Sequence, residues 1–188
     1  MSEAMMLENV LRRKRAAILK RWLNMILETY PTDAARFLRE EKNQFANPVG
    51  CTISNEVAAL YDELLQGTDT EKLSPFLERI IRIRAVQDFS PSQAIGFIFS
   101  LKRVIRDELG SEIRKDGIVE ELTTFESKID ELALRAFEIY VRCRERVYEI
   151  RVNEVKNRTF GLLKRANLLY EFSEEESNSE DGKVDSVI

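Results

Sequence analysis

The sequence predicts an all-α protein, and two observations carry that prediction. The chain of 188 residues has only 7 glycines and 4 prolines, which leaves few sites for the many turns of a β-sheet protein. Apolar residues make up 44% of the chain and recur at steps of three and four, as they do along one face of an α-helix. We therefore expect a bundle of helices, a long C-terminal helix and an acidic tail.

Prolines divide the N-terminal half into helices. A first helix is expected over about residues 3–29, because Pro31 ends it and a residue before a proline avoids the helical region. A short helix follows it. Asn47 and Pro48 suit the cap and the first position of the next helix, whose main body is expected at residues 53–65.

Capping-box spacings mark two further helix starts. Glu71 follows Thr68 by three positions, and Gln93 follows Ser90 by three. The second of these helices is expected to end at Gly110, since glycine commonly follows the last turn of a helix.

Residues 117–170 contain no proline and are predicted to form one long helix that packs on the core and on a dimer partner. Seven positions in it alternate steps of three and four, which is the heptad pattern of a coiled-coil seam, and the pattern slips before Val147. The predicted organisation is a helical core at residues 1–116, this helix, and a disordered acidic tail at residues 171–188. The predicted dimer seam consists of Leu122, Phe125, Ile129, Leu132, Ala136, Ile139 and Cys143.

The composition argues against catalysis and against a metal or haem cofactor. The chain has no histidine, which is the commonest general base and the usual ligand of zinc and haem iron. Cys51 and Cys143 are far apart in the sequence, and no glycine-rich phosphate loop is present. We expect a protein that is not an enzyme and has no cofactor.

Charge and hydropathy bear on partners and location. The net charge of −4 argues against nucleic-acid binding. The basic run in the first 21 residues is either a solvated helix face or a contact for an acidic partner. No apolar run is long enough to form a transmembrane segment, and no secretory signal is evident, so we expect a cytoplasmic protein with reduced thiols.

Two groups of polar residues are candidates for a ligand pocket. Arg82, Arg84 and Gln87 are interleaved with a strongly apolar helix, where they either form salt bridges within the fold or face an anion or small ligand. Asn47 begins a turn that either caps a helix or faces a ligand, and Tyr61 follows on the next helix. The candidate pocket therefore comprises all five residues.

Three segments carry a resemblance to a known family. They are Trp22 before Tyr30-Pro31, residues 45–50 (Phe-Ala-Asn-Pro-Val-Gly), and residues 82–94, which include Arg-Ala-Val-Gln-Asp-Phe-Ser-Pro-Ser-Gln. Together they resemble the N-terminal domain of the RsbRD-type co-antagonists of RsbT, over about residues 5–155. The resemblance implies a haem-free, globin-like or related helical sensor domain, often dimeric, of the kind found in stressosome proteins. In that family the last helix normally leads into an output domain, and none is evident in this sequence.

Two functions remain open from the sequence. The first is a homodimeric sensory or regulatory signalling module, in which a small ligand or a protein partner shifts the packing of the long helix. The second is a scaffold or adaptor that recruits a cytoplasmic partner protein and has no sensing role.

Overall fold

The computed structural model describes residues 6–67, 70–114 and 118–166, and nearly all of them are helical. No strand occurs in these ranges, so the all-α prediction is confirmed, whereas a globin-like arrangement stays a prediction. The predicted acidic tail and the predicted cap Thr68 lie outside the described residues. The helices are α1 (Met6–Arg13), α2 (Arg15–Leu27), α3 (Thr32–Glu40), α4 (Pro48–Leu65), α5 (Thr70–Val86), α6 (Pro91–Leu109) and α7 (Ile118–Arg165), with a short 3₁₀ helix at Gly110–Arg114.

The chain divides into two compact units, Met1–Tyr148 and Glu149–Ile188. The sequence-based division at residue 116 differs from this one, because the first thirty or so residues of α7 contribute buried side chains to the core of the first unit. In the second unit the described residues, 149–166, are the end of α7 and the residue after it, and almost all of them are exposed.

The first predicted helix is broken at Lys14, so the prediction of one helix over residues 3–29 is wrong. Lys14 has φ −92° and ψ 4°, outside the helical region, although its N–H still bonds the carbonyl of Val10 at 3.0 Å. Its Nζ donates to the carbonyl oxygen of Glu108 near the end of α6, at 2.6 Å. Neither proline nor glycine marks this break, which is why it could not be predicted from the sequence.

Helix α4 begins at Pro48, five residues before the predicted start of its main body, whereas the prediction that Asn47 and Pro48 cap and start it is confirmed. The Asn47 side chain accepts a hydrogen bond from Gly50 N at 2.8 Å and donates to the carbonyls of Leu38 and Glu41 at 3.1 and 2.9 Å. A side chain at Gly50 would collide with the Asn47 amide, so only glycine permits this cap.

The predicted capping box at the start of α6 is confirmed. Gln93 N donates to Ser90 Oγ at 3.3 Å, and Ser90 N donates to Gln93 Oε1 at 3.0 Å, with proline at the first helical position. Both orphan amides are thereby satisfied, and the start of α6 is fixed within one residue.

The core of the first unit is built around α2, α4, α5 and α6. Trp22 of α2 is fully buried, stacks on the Phe97 ring with centroids 6.1 Å apart, and donates its indole N–H to the Phe97 carbonyl at 2.7 Å. Arg15 and Asp62 form a two-pronged ion pair between α2 and α4 at 2.6 and 2.7 Å, which lowers the pKa of the Asp62 carboxyl.

The predicted dimer seam of α7 is buried inside a single chain, which corrects its assignment. Its first six members, Leu122, Phe125, Ile129, Leu132, Ala136 and Ile139, are at most 8% exposed within one chain, and Cys143 is half-buried against the same core. A heptad pattern reports that a helix has an apolar face but does not say which surface covers it. Here the face packs on the chain's own core and is not available to a partner.

A second set of apolar side chains on α7 is exposed. Leu134, Val141 and Tyr148 recur at intervals of seven and are 70%, 36% and 53% exposed. In the sequence the same interval continues at Val155 and Leu162, which are 63% and 65% exposed. We call these five residues the outer row.

Replacing Leu132 by alanine is expected to lower the free energy of unfolding by about 2–4 kcal/mol, because it leaves a cavity in the core. The control change Val119→Ala, at a position of the same helix that is 57% exposed and lies outside the outer row, should lower it by less than about 0.5 kcal/mol. Urea denaturation at several protein concentrations measures both values. The loss in free energy of unfolding caused by Leu132→Ala should be the same at every protein concentration. A loss that depends on concentration would show instead that the predicted seam is a dimer interface.

Candidate functional site

The turn between α5 and α6, residues 87–90, is bonded to three separate parts of the first unit. We call it the corner. Asp88 has a φ of 59°, a left-handed conformation that aspartate tolerates better than most residues. The Phe89 N–H donates to the Arg84 carbonyl at 3.3 Å and closes the end of α5.

Arg84, in the last turn of α5, is a fully buried cation that has no carboxylate partner among the described residues. Its Nη2 donates to Thr29 Oγ1 at 2.8 Å and to the Gln93 carbonyl at 2.9 Å, whereas Nε and Nη1 find no hydrogen-bond acceptor in the part of the chain that the structure describes. The guanidinium carbon lies 4.3, 5.5 and 5.6 Å from three aromatic ring centres, those of Phe89, Tyr30 and Phe97.

The aromatic rings around Arg84 explain how a buried charge is tolerated there. The negative face of a ring attracts a cation, and this attraction is strongest where water is excluded. Burial still lowers the pKa of Arg84 and raises the pKa of Tyr30, although each group partly opposes the shift of the other. Arginine nevertheless remains charged, so the rings and two hydrogen bonds must stabilise a permanent cation.

Residues at the C-terminal end of α2 also contact the corner. The Tyr30 hydroxyl donates to Gln87 Oε1 at 3.0 Å, and the Tyr30 and Phe89 rings pack edge to face with centroids 5.0 Å apart. With the bond from Arg84 to Thr29, these contacts hold the end of α2 against the corner.

Two residues of α7 bind the opposite side of the corner. Tyr140 donates to the Phe89 carbonyl at 2.6 Å. Arg144 Nη1 donates to the Ala85 carbonyl at 2.9 Å and to Asp88 Oδ1 at 2.8 Å, and its pKa is raised, first of all by the bond to Asp88. The bond to Ala85 satisfies a carbonyl group in the last turn of α5, where the helix itself supplies no donor, and the bond to Phe89 satisfies a carbonyl group of the corner.

The structure does not bring the five predicted pocket residues together, so the prediction of a single pocket is wrong. Arg84 and Gln87 are at the corner. Arg82 is exposed and pairs with Glu78 at 2.7 Å, and Asn47 is the cap of α4. Tyr61 is buried and donates to the Leu11 carbonyl at 3.2 Å, and burial raises its pKa.

A cleft of about 900 Å³ is formed by one face of α2, the C-terminal end of α3 and the first turns of α4. This cleft was not predicted from the sequence, because its walls come from three elements and belong to no motif. Among its lining residues are Lys20, Leu23, Leu27, Leu38, Lys42 and Cys51.

Two classes of feature are absent from the part of the chain that the structure describes. Within residues 6–67, 70–114 and 118–166 no group of three or more cysteine, aspartate or glutamate side chains is arranged to hold a metal ion. In the same ranges no helix is long and apolar enough to cross a bilayer.

Comparison with known proteins identifies the family. Residues 16–155 match the family described as the RsbT co-antagonist protein rsbRD N-terminal domain. The chain belongs to this family. The match includes the corner and every residue that binds it, and it confirms the resemblance expected from the sequence.

A further relative is an archaeal protein. The chain is 26% identical over 145 residues to an "Uncharacterized protein" of Archaeoglobus fulgidus, and the aligned part covers 74% of this chain and 83% of that protein. No solved structure matches the chain. The identification of the family therefore rests on the match to the RsbRD N-terminal domain.

Replacing Arg84 by alanine is expected to lower the free energy of unfolding by about 2–4 kcal/mol, because it empties the space between three rings and removes the hydrogen bonds to Thr29 and Gln93. Arg82→Ala, two residues away and exposed, should cost less than about 0.5 kcal/mol. Thermal and urea unfolding of the two variants give these values. Equal losses would contradict the structural role assigned to Arg84.

Proposed function

We propose that the protein is a sensory or regulatory module that works by binding and catalyses no reaction. The observation that carries this proposal is the double attachment of the corner, on one side to the end of α2 and on the other to α7. A ligand or a protein partner that moves the end of α2 would change the hydrogen bonds that Tyr140 and Arg144 make. Binding energy would then be converted into a shift in the packing of α7.

Membership of the RsbRD N-terminal domain family supports a regulatory role, since the family is described by its co-antagonist action on RsbT. We further propose that the protein acts in the cytoplasm, without a cofactor, on another protein.

We propose that the chain forms a homodimer through the outer row of α7. Residues at seven-residue intervals lie along one side of a helix, and apolar side chains there are suited to a coiled-coil contact. All five members are exposed in the single chain, so their apolar surface is available to a partner. This interface replaces the seam expected from the sequence, which the core already covers.

A scaffold or adaptor role is the second candidate, and one residue favours it. Phe45, in the connection between α3 and α4, is 97% exposed. An aromatic side chain that is left in water is suited to anchor a protein partner. A chain that is monomeric and binds its partner through Phe45 would act as an adaptor.

Sedimentation equilibrium of the full chain tests the dimer. We expect a dimer at micromolar concentration, because the outer row buries apolar surface only on association. The double variant Leu134→Glu/Val155→Glu should be monomeric, since it places like charges opposite each other across the contact. Val119→Glu, at a position that is 57% exposed and outside the row, serves as the control and should remain dimeric. A monomeric wild-type chain, or a double variant that still dimerises, would overturn the proposal.

A further inference from the structure

We propose that the cleft between α2, α3 and α4 binds a small amphiphilic carboxylate, whose apolar body contacts a leucine floor and whose charge is held by unpaired cations. The inference names a ligand class for the proposed sensory module. It rests on that proposed function only for the claim that binding of the ligand is sensed. Binding itself requires nothing beyond the cleft.

The cleft has the size and the lining of a small-molecule site. Its volume of about 900 Å³ lies within the range of roughly 300–1,000 Å³ that is usual for ligand pockets. Leu23 and Leu27 of α2 and Leu38 of α3 line it, and all three also pack against, or belong to, the apolar interior. An apolar chain placed here would therefore contact a continuation of the core.

Three cations line the same cleft without an ion pair. Lys20, Arg39 and Lys42 are exposed, and no carboxylate among the described residues is within ion-pair distance of them. Other basic residues near α2 behave differently. Those with carboxylate partners at 2.6 to 3.2 Å are Arg13, Lys14, Arg15 and Arg21.

The balance of charge in the cleft favours a monoanion. Besides the three cations, Glu28 and Glu41 line it, so cations exceed carboxylates by one. One of these carboxylates is already engaged, because Glu41 Oε1 accepts a hydrogen bond from Asn43 N at 2.7 Å. The long side chains of the cations can extend over the opening while their stems lie against apolar surface. A carboxylate on an apolar chain matches both the leucine floor and the excess of positive charge. A neutral or cationic ligand matches only the floor.

Cys51 provides a reporter inside the cleft. Its thiol is half-buried, lines the cleft, and lies 3.7 Å from the Lys42 carbonyl oxygen. Cys143 lies on α7 and is also half-buried, and burial raises the pKa of its thiol. It provides an internal control, since a ligand in the cleft would not cover it.

The test is the binding of decanoate to the full chain, below its micelle concentration, measured by calorimetry and by the rate at which a disulfide reagent modifies Cys51. We expect saturable binding. At a decanoate concentration of ten times Kd, modification of Cys51 should be about tenfold slower, because only about a tenth of the clefts remain free. The rate at Cys143 should not change. Decanol and decyltrimethylammonium should bind more weakly than decanoate.

Two variants and one control locate the site. Lys20→Gln/Lys42→Gln should weaken decanoate binding by about five- to tenfold, as expected for the loss of two exposed charge contacts. Leu23→Asn should weaken it by interrupting the floor. Lys72→Gln removes an exposed lysine outside the cleft and should leave binding unchanged.

Several results would overturn the inference. These are the absence of saturable decanoate binding, equal binding of the three decyl compounds, or undiminished binding by the double lysine variant. Co-sedimentation with phosphatidylglycerol vesicles without binding of monomeric decanoate would assign the cations to a membrane surface instead. If decanoate binds but changes neither the sedimentation of the dimer nor hydrogen exchange at the corner, the ligand site is supported and the proposed sensory function is contradicted. If decanoate does not bind while the chain dimerises through the outer row, only the site fails.

Discussion

The buried guanidinium of Arg84 is the constraint on which the first unit depends. A permanent cation without a carboxylate can remain in the interior only while aromatic rings and carbonyl or hydroxyl acceptors surround it. Those groups come from the end of α2, the corner and the start of α6, so the position of Arg84 fixes all three. Tyr140 and Arg144 of α7 then bind the same corner, and Arg144 also binds the last turn of α5 before it. Residues 84–93, which belong to one of the three segments that carry the family resemblance, thus take part in this arrangement.

Helix α7 has two apolar faces with different roles. The inner one, from Leu122 to Ile139, completes the core of the first unit. The outer row begins at Leu134 and is exposed, so it adds nothing to the stability of a single chain. A shift of the corner would act on the inner face, and any partner on the outer row would experience that shift through one helix. This arrangement supports the proposed regulatory role, because one helix carries both the face that completes the core and the outer row.

Local features were predictable from the sequence, and the placement of surfaces was not. The capping box of Ser90 and Gln93 and the cap at Asn47 depend on neighbours three residues away, so their signals are complete within the sequence. Arg84 could be recognised as a polar residue in an apolar helix, but its ring contacts come from distant segments. The heptad of α7 was detected, and its partner was assigned wrongly, because periodicity does not identify the covering surface. The cleft and the break at Lys14 depend on tertiary contacts alone.

Hydrogen exchange at the corner tests the central claim most directly. The double variant Tyr140→Phe/Arg144→Gln keeps the size of both side chains approximately but removes the hydrogen bonds and the charge that bind α7 to the corner. Exchange of the amides at residues 85–90 should accelerate by about tenfold or more, because hydrogen bonds to a charged group contribute about 1.5–3 kcal/mol. Amides in the middle of α6 should keep their protection, and Arg142→Gln, at an exposed position on the same helix, should change neither region. Unchanged exchange at the corner in the double variant would contradict the account, since α7 would then not hold the corner.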